Sequence, residues 1–295
     1  MSGSKVAALL ALVAAVGLFG CARMARRAAP VPPSLGAASA DSLLGRIEDR
    51  AEEIRSLRAV AKVRIQFEPE PGEDEGESFS TTQAVLAAAP ASFRLDSLSP
   101  FGVSYAAVSD GQSLAVLTPE EGTIYRGRAT PRSVSSATGV EASPADVARL
   151  LLGQVPMPRV QDRLAWVSAA PGNASVGGTR EVPPQVYLHV PSADVAGETI
   201  VVGFSRPAGG NGEALPVVFE RIDAQGDVRF RADFAEHRAF GEHVVPTRID
   251  VKAPRSGATL TYRDVELNPE LEPRSFHLAT PPGMRDLPLE ARADP

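Results

Sequence analysis

The chain has 295 residues, of which 43% are hydrophobic, and a formal net charge of −6, so it is long enough for one large domain or two small ones. An acidic chain of this kind lacks the basic surface that nucleic-acid binding requires, and we predict no nucleic-acid partner. Its single cysteine excludes an intrachain disulfide and a structural zinc or iron–sulfur site built from several cysteines.

The N-terminal segment is typical of a bacterial export signal. Residues 6–20 are apolar but span only about 15 residues, fewer than the roughly 20 that a membrane-spanning helix needs. Residues 18–21, with the sequence LFGC, resemble the lipobox of bacterial lipoproteins, although Phe19 stands where a small residue is usual. The resemblance implies that residues 1–20 are cleaved off and that the Cys21 thiol receives a diacylglyceryl group.

Two other interpretations of this N-terminus remain open: an uncleaved membrane anchor, and a plain secretory signal cut elsewhere. Ala22 follows the cysteine, where lipoproteins retained in the inner membrane of enteric bacteria tend to carry Asp, so the resemblance implies outer-membrane anchoring. Residues 21–40 are rich in Ala, Pro and Ser without hydrophobic periodicity, which predicts a flexible tether.

The folded part is predicted to open with a helix capped by Asp41 or Ser42. Apolar residues recur there at steps of three and four, from Leu43 to Leu57. The period then changes to two, which predicts a strand over residues 59–67. The acidic segment 68–77 that follows is interpreted as a solvated, mobile hairpin loop.

Strand-like segments then succeed one another, with turn residues between them. The predicted strands are residues 78–88, 92–98, 103–108, 113–118, 122–128, 163–169, 185–190, 198–206, 215–223, 227–237, 242–252 and 257–266. A short helix over residues 143–153, capped by Ser143 with Pro144 after it, interrupts them. The predicted fold class is therefore mainly β: a single curved antiparallel sheet, an incomplete barrel, with an N-terminal helix and a short helical lid.

The residues offer little to catalysis. Motifs for zinc proteases, serine hydrolases, phosphate-binding loops and dinucleotide sites are missing from the sequence. His237 and His243, with Glu236 or Glu242, form a weak metal hypothesis, because surface histidines beside a turn are far commoner. We predict no enzyme activity, no metal and no cofactor.

Several short motifs carry a resemblance to a known family. Residues 89–127 contain Pro90, Phe93-Arg94, the corner Pro100-Phe101-Gly102 and the turn Ser109-Asp110-Gly111. Residues 276–283, with the sequence FHLATPPG, are similar to a closing strand with a Pro-Gly exit. Together they resemble the LolA/LolB superfamily of lipoprotein carriers and receptors, with membrane-anchored LolB-like lipoproteins nearer because of Cys21 and the Pro-Phe-Gly corner.

The resemblance implies an incomplete barrel over residues 41–285, followed by a flexible tail, residues 286–295. Its apolar interior would hold the acyl chains of a lipoprotein, with residues 143–153 as a lid or as ordinary core. The candidate lining residues are Phe67, Val85, Phe93, Leu95, Val116, Leu150, Leu151 and Trp166. A projecting apolar loop for membrane insertion is expected at Leu98, Phe101 and Val103. Alternation marks which side chains face inward but does not distinguish a hollow interior from a filled one.

The predicted function is that of an outer-membrane lipoprotein, facing the periplasm, that binds acyl chains and receives or inserts lipoproteins. Its partners would be the acyl chains, the membrane and a periplasmic lipoprotein carrier. A non-enzymatic scaffold or sensor of the cell envelope, with the same fold and a protein partner, is the alternative. A lipid-anchored hydrolase is the third and least favoured hypothesis.

Overall fold

The computed structural model describes residues 38–69, 76–140, 142–157, 165–169, 183–193, 195–206 and 212–292, all within one compact unit. The predicted signal peptide, Cys21 and most of the predicted tether lie outside these residues. So do the centre of the acidic loop and the start of the strand predicted at residue 163.

Three α-helices are present in the described part of the chain: α1 (Ala40–Glu53), α2 (Pro131–Thr138) and α3 (Pro144–Leu151). Helix α1 is capped by Ser39, whose hydroxyl accepts from the Ser42 amide at 3.2 Å, and not by the predicted Asp41 or Ser42. It also ends before Leu57, which belongs to the first strand. Helix α2 was not predicted.

The described ranges contain fourteen strands, and most of them follow the alternation of the sequence. They are β1 (Ser56–Phe67), β2 (Ser78–Ala88), β3 (Ser92–Ser99), β4 (Gly102–Ser109), β5 (Ser113–Thr118), β6 (Thr123–Arg128), β7 (Trp166–Ala169), β8 (Val186–Pro191), β9 (Thr199–Ser205), β10 (Leu215–Ile222), β11 (Val228–Phe240), β12 (His243–Lys252), β13 (Ser256–Leu267) and β14 (Arg285–Pro288).

All fourteen strands form one curved sheet, in the order β14-β6-β5-β4-β3-β2-β1-β13-β12-β11-β10-β9-β8-β7. Two meanders, β1 to β6 and β7 to β13, meet where β1 pairs with both β2 and β13. Strands β14 and β7 are the two edges, so the sheet is not closed. The predicted fold class is confirmed, except that β14 runs parallel to β6.

The core lies on the concave face of this sheet. On β1, Leu57, Ala59, Ala61 and Val63 are all less than 5% exposed, because every second side chain points inward. The opposite face is polar and carries ion pairs between residues two apart, such as Arg94–Asp96 at 2.7 Å. Burial of the apolar face therefore sets the register of the strands.

The C-terminal segment requires a correction. The resemblance placed a closing strand at residues 276–283, but a 3₁₀ turn (Pro273–Phe276) ends at Phe276, residues 277–283 form no strand, and β14 follows at Arg285–Pro288. After β14, Leu289 is buried, with its Cβ close to Gly127 of β6. Residues 286–292 are therefore part of the fold and not of the predicted flexible tail.

Candidate ligand-binding cavity

A cavity of about 1200 Å³ lies between the concave face of the sheet and the helices α2 and α3. Ordinary small-molecule pockets measure about 300 to 1,000 Å³, so this one is large. Strands β1 to β4, β12 and β13 form its sheet side. The interior of the fold is thus filled in one part and hollow in another.

One wall of the cavity is apolar. Neighbouring strands align its side chains in rows, such as Ile249 of β12 beside Leu260 of β13, which is beside Val63 of β1. The next row contains Val251, Ala258 and Ile65. Helix α3 and the loop before it complete this wall with Val140, Val147, Leu150 and Leu151.

The other wall is polar, although an apolar interior was expected throughout. Gln83 of β2, Ser97 of β3 and Tyr105 of β4 lie side by side across three paired strands. The remaining neutral polar residues of this wall are Thr81, Ser104, Ser135, Ser136 and Thr138. The cavity is therefore two-faced, with an apolar wall from β12, β13, β1 and α3 and a polar wall from β2 to β4 and α2.

The cavity reaches the end of the sheet where β1 and β2 are joined. Phe67 and Phe79 line it there, and their ring centroids lie 6.2 Å apart. The charged residues that line the cavity are Glu68, Glu77, Arg132, Arg255 and Arg292. The β3–β4 corner lies at this same end, because Leu98 pairs with Thr82 close to the start of β2.

Four of the eight predicted lining residues border the cavity: Phe67, Leu95, Leu150 and Leu151. Val85, Phe93 and Val116 face inward but are fully buried in the filled part of the core, so they do not line it. The alternation of apolar and polar residues correctly identified the face of the sheet on which these side chains lie. It did not indicate whether that face borders a cavity or packed core.

Trp166 is a clearer error. It pairs with His189 and not with the buried Leu188, which places it on the opposite face of the sheet. Its indole is 48% exposed and stacks on the His189 ring, with centroids 5.0 Å apart. Trp166 is therefore removed from the candidate site.

Helix α3 is held at both ends. At its start, the Ser143 hydroxyl accepts from the Asp146 amide at 3.1 Å, and Asp146 accepts from the Ser143 amide and pairs with Arg221 at 3.0 Å. At its end, the buried Tyr262 hydroxyl donates to the carbonyl of Leu151 at 3.0 Å. These bonds fix Leu150 and Leu151 against the cavity.

Helix α2 is the functional element that the sequence analysis missed. Its last turn accepts three hydrogen bonds: Tyr105 donates to the Ala137 carbonyl at 2.6 Å, Arg292 to the Ser136 carbonyl and Ser256 to the Gly139 carbonyl. Burial raises the pKa of Tyr105, which keeps its hydroxyl protonated as a donor.

A sequence signal for α2 was present. Thr130 caps the helix by accepting from the Ser133 amide, and Pro131 occupies its first turn. Gly139 ends it with φ of 74°, in the left-handed region that glycine adopts readily. The helix has only two buried side chains, Val134 and Ala137. Its apolar periodicity was therefore too weak to predict a helix from the sequence.

The predicted insertion loop is exposed. Phe101 is 99% exposed, and Leu98 and Val103 are 41% and 37% exposed. The Ser99 hydroxyl accepts from the Phe101 amide and donates to the Gly102 carbonyl, so the turn is held without the phenyl ring. The corner therefore presents apolar side chains to the surroundings at the cavity's open end.

The histidines of the weak metal hypothesis have other neighbours. His237 lies close to Arg50, whereas His243 lies 3.8 Å from Glu53. The described ranges contain no group of three or more His, Cys, Asp or Glu side chains with a metal-binding arrangement. No helix in the same ranges is both long and apolar enough to cross a membrane.

One serine–histidine contact bears on the hydrolase hypothesis. Ser168 Oγ lies 2.8 Å from His189 Nε2, on the outer face of the sheet beside Trp166. Within the part of the chain that the structure describes, no carboxylate lies within ion-pair distance of His189. Burial also lowers the pKa of this imidazole. Among the described residues, Ser168 and His189 therefore have no acid beside them of the kind that completes a catalytic triad.

No family model and no curated protein matches this chain. Among solved structures it is similar to a LolA superfamily protein from Nitrosomonas europaea, with 16% identity, a TM-score of 0.47, and coverage of 82% of this chain and 99% of that one. It is also similar to a domain named for outer membrane lipoprotein sorting from Vibrio parahaemolyticus, with 10% identity, a TM-score of 0.47, and coverage of 81% and 95%.

A third similar structure is a DUF1329 family protein from Desulfovibrio piger, with 10% identity, a TM-score of 0.44, and coverage of 81% and 95%.

Proposed function

We propose that this chain is a cell-envelope lipoprotein whose cavity binds acyl chains, and that it receives or inserts lipoproteins at the outer membrane. The observation that carries the proposal is the apolar wall of a cavity of about 1200 Å³ that reaches the open end of the sheet. Exposed apolar side chains surround that end, with Phe101 the most exposed among them.

The free energy of hydrocarbon transfer favours binding of an acyl chain in this cavity. An acyl chain of 16 carbons costs on the order of 12 kcal/mol to keep in water, at about 0.8 kcal/mol per CH₂ group. Rows of Val, Ile, Leu and Ala side chains from β1, β12 and β13 offer the chain an apolar surface, and Leu150 and Leu151 cover it from the other side. A hollow core would otherwise lose packing energy without compensation.

The membrane attachment belongs to the same proposal. Cys21 is the proposed site of acylation, and several chains on one N-terminus attach a protein to a bilayer in an effectively permanent way. The proposed location is the periplasmic face of the outer membrane, where a periplasmic lipoprotein carrier would deliver the cargo. Support for this part comes from the sequence around Cys21 alone.

Filling the cavity tests the proposal. Ala258 lies on the apolar wall between Val251 and Ile65, so Ala258→Trp places an indole where an acyl chain would lie. Thr261→Trp is the matched control, because Thr261 lies on the opposite face of the same strand, beside Lys62 and Arg248. We expect Ala258→Trp to reduce binding of a fluorescent fatty-acid probe at least tenfold and Thr261→Trp to leave it unchanged.

Mass spectrometry of the purified soluble domain, residues 38–295, provides a second measurement. Co-purified fatty chains are expected in the unaltered domain and in Thr261→Trp, and not in Ala258→Trp. If the unaltered domain carries no lipid and binds no probe, the acyl-binding function fails, and a scaffold or sensor with a protein partner becomes the better explanation of the fold.

A further inference from the structure

The polar wall has no role in holding an acyl chain, so it requires a separate explanation. Gln83, Ser97 and Tyr105 lie on adjacent strands and line the cavity together. Polar side chains next to an apolar wall reduce the affinity for a plain hydrocarbon, because their hydrogen bonds to water are lost when the chain enters. Their presence indicates a ligand with polar groups of its own.

Gln83 is the most informative of these residues. It is only 7% exposed, and its amide Nε2 donates to the Ser97 hydroxyl at 3.3 Å. No hydrogen-bond partner of its Oε1 atom exists among the described residues. Ser97 is equally buried and accepts from Gln83, so its own hydroxyl hydrogen remains to be donated. Side by side, the pair offers one acceptor and one donor to the cavity.

The hydroxyls of α2 extend this pattern. Ser135 and Ser136 line the cavity, and neither side chain has a hydrogen-bond partner in the ranges that the structure describes. The Ser104 hydroxyl, in contrast, donates to the Ser97 carbonyl at 3.3 Å. The polar wall therefore has several neutral groups available for a ligand, besides those that bind the protein itself.

Charge is arranged differently. Arg292 donates to the Ser136 carbonyl and lies over the Tyr105 ring at 5.6 Å, so its guanidinium is engaged in holding α2. Among the described residues, the other charged ones that line the cavity are Arg132, Arg255, Glu68 and Glu77, two of each sign. The residues that pair with Gln83 and Ser97 on the outer neighbouring strands, Ala61 and Tyr105, are themselves uncharged.

We propose that the polar wall binds the uncharged polar junction of an acyl lipid, a group with both a hydrogen-bond donor and an acceptor, while the acyl chain lies on the apolar wall. The inference deepens the proposed function and rests on it. Gln83 Oε1 accepts from the hydroxyl or amide of the ligand, and the Ser97 hydroxyl donates to its carbonyl. A glycerol ester with a free hydroxyl and an acylated amine both have this chemistry; the first occurs in lipids and the second at a modified protein N-terminus.

The test compares ligands with the same 16-carbon chain and different junctions. Displacement of a fluorescent fatty-acid probe from the soluble domain is measured for 1-monopalmitoylglycerol, N-palmitoylglycinamide, methyl palmitate and palmitate. Methyl palmitate has an acceptor without a donor, and palmitate has a negative charge. We expect the first two to bind about five- to tenfold more tightly than methyl palmitate, the effect of one or two neutral hydrogen bonds.

Two variants assign the preference to the polar wall. Gln83→Leu keeps the size of the side chain and is expected to abolish the preference over methyl palmitate. Ser97→Ala tests the same pair if Gln83→Leu does not fold. The matched control is Thr82→Leu, because Thr82 is exposed and directly precedes Gln83 on β2.

The outcomes distinguish failure of the polar-junction inference from failure of the proposed acyl-binding function. Equal binding of all four ligands, or tightest binding of palmitate, overturns the uncharged junction and leaves acyl binding intact. If none of the four ligands binds, the proposed acyl-binding function itself is contradicted. A preference for 1-monopalmitoylglycerol, whose free hydroxyls are absent from the diacylglyceryl group of a lipoprotein, indicates a lipid as the source, and a preference for the amide indicates an acylated protein.

Discussion

His237 shows how one buried side chain makes the fold sensitive to pH. It lies on β11, where burial, followed by the nearby positive charge of Arg50, lowers its pKa to about 4. In an unfolded chain a histidine has a pKa of about 6.5. Between pH 4 and pH 6.5 the unfolded state therefore binds more protons than the folded state. The free energy of unfolding therefore falls as the pH drops from about 6.5 to about 4.

We expect this single group to cost on the order of 2 to 3 kcal/mol of stability between pH 7 and pH 4.5, because each pKa unit corresponds to about 1.4 kcal/mol. The comparison of interest is His237→Gln, which has no group that titrates in this range. Denaturant unfolding of both proteins at the two pH values measures the difference. Equal losses in the two proteins would contradict the lowered pKa.

At the scale of elements, the strands were predictable and two small elements were not. The strand predicted at residues 78–88 is β2 to the residue, because its side chains alternate and one face is buried. Strand β14 has only four residues and pairs in parallel with β6, from which it is far away in the sequence. No local sequence pattern encodes such a pairing. Helix α2 was not predicted either, because its apolar face is weak.

Helix α2 is the element that we expect to move during ligand exchange. It buries two side chains, whereas α3 buries five, so α2 has less apolar packing to hold it in place. The lid predicted from the sequence was α3, and we now assign that role to α2 as a proposal. The C-terminal segment contacts this helix, because Arg292, which follows β14, donates to the Ser136 carbonyl.

Removal of this contact gives a test. Arg292→Ala is expected to speed amide hydrogen exchange in residues 134–139 by about tenfold, since a hydrogen bond from a charged donor contributes about 1.5 to 3 kcal/mol. Release of a bound acyl probe should also become faster. Arg274→Ala is the control on the same segment, because that side chain is 83% exposed. Unchanged exchange in α2 would show that Arg292 does not hold it.

At the scale of the whole molecule, the inward face was predictable and the hollow was not. Leu95 and Phe93 lie on the same strand and face the same side, yet only Leu95 borders the cavity. The difference depends on what the opposite strands and helices place against each residue. A sequence read in one dimension contains the alternation but not these distant neighbours.

The proposed attachment to the bilayer has two parts that respond to different variants. Cys21→Ser in the full chain is expected to move the protein from the membrane fraction to the soluble fraction, because the acyl anchor is lost. The second prediction concerns the exposed β3–β4 corner. Phe101→Ser should leave the anchor intact and slow the transfer of an acyl probe to vesicles. The stability of the Phe101→Ser protein should not change, because the ring is 99% exposed.

Phe101→Leu keeps an apolar side chain and serves as the matched control for transfer. A rate of transfer that is the same in Phe101→Ser, Phe101→Leu and the unaltered protein would exclude the corner from membrane contact. Retention of Cys21→Ser in the membrane fraction would show that another segment provides the anchor.

The pairing of β1 with β13 has a consequence for how the chain is made. One hydrogen-bonding edge of β1 finds β2 almost at once, but the other waits for residues 256–267, nearly 200 positions later. Until those residues pair with it, β1 keeps an open hydrogen-bonding edge on which another chain can add. We therefore expect a chain that still lacks residues 256–267 to associate more readily than the finished fold.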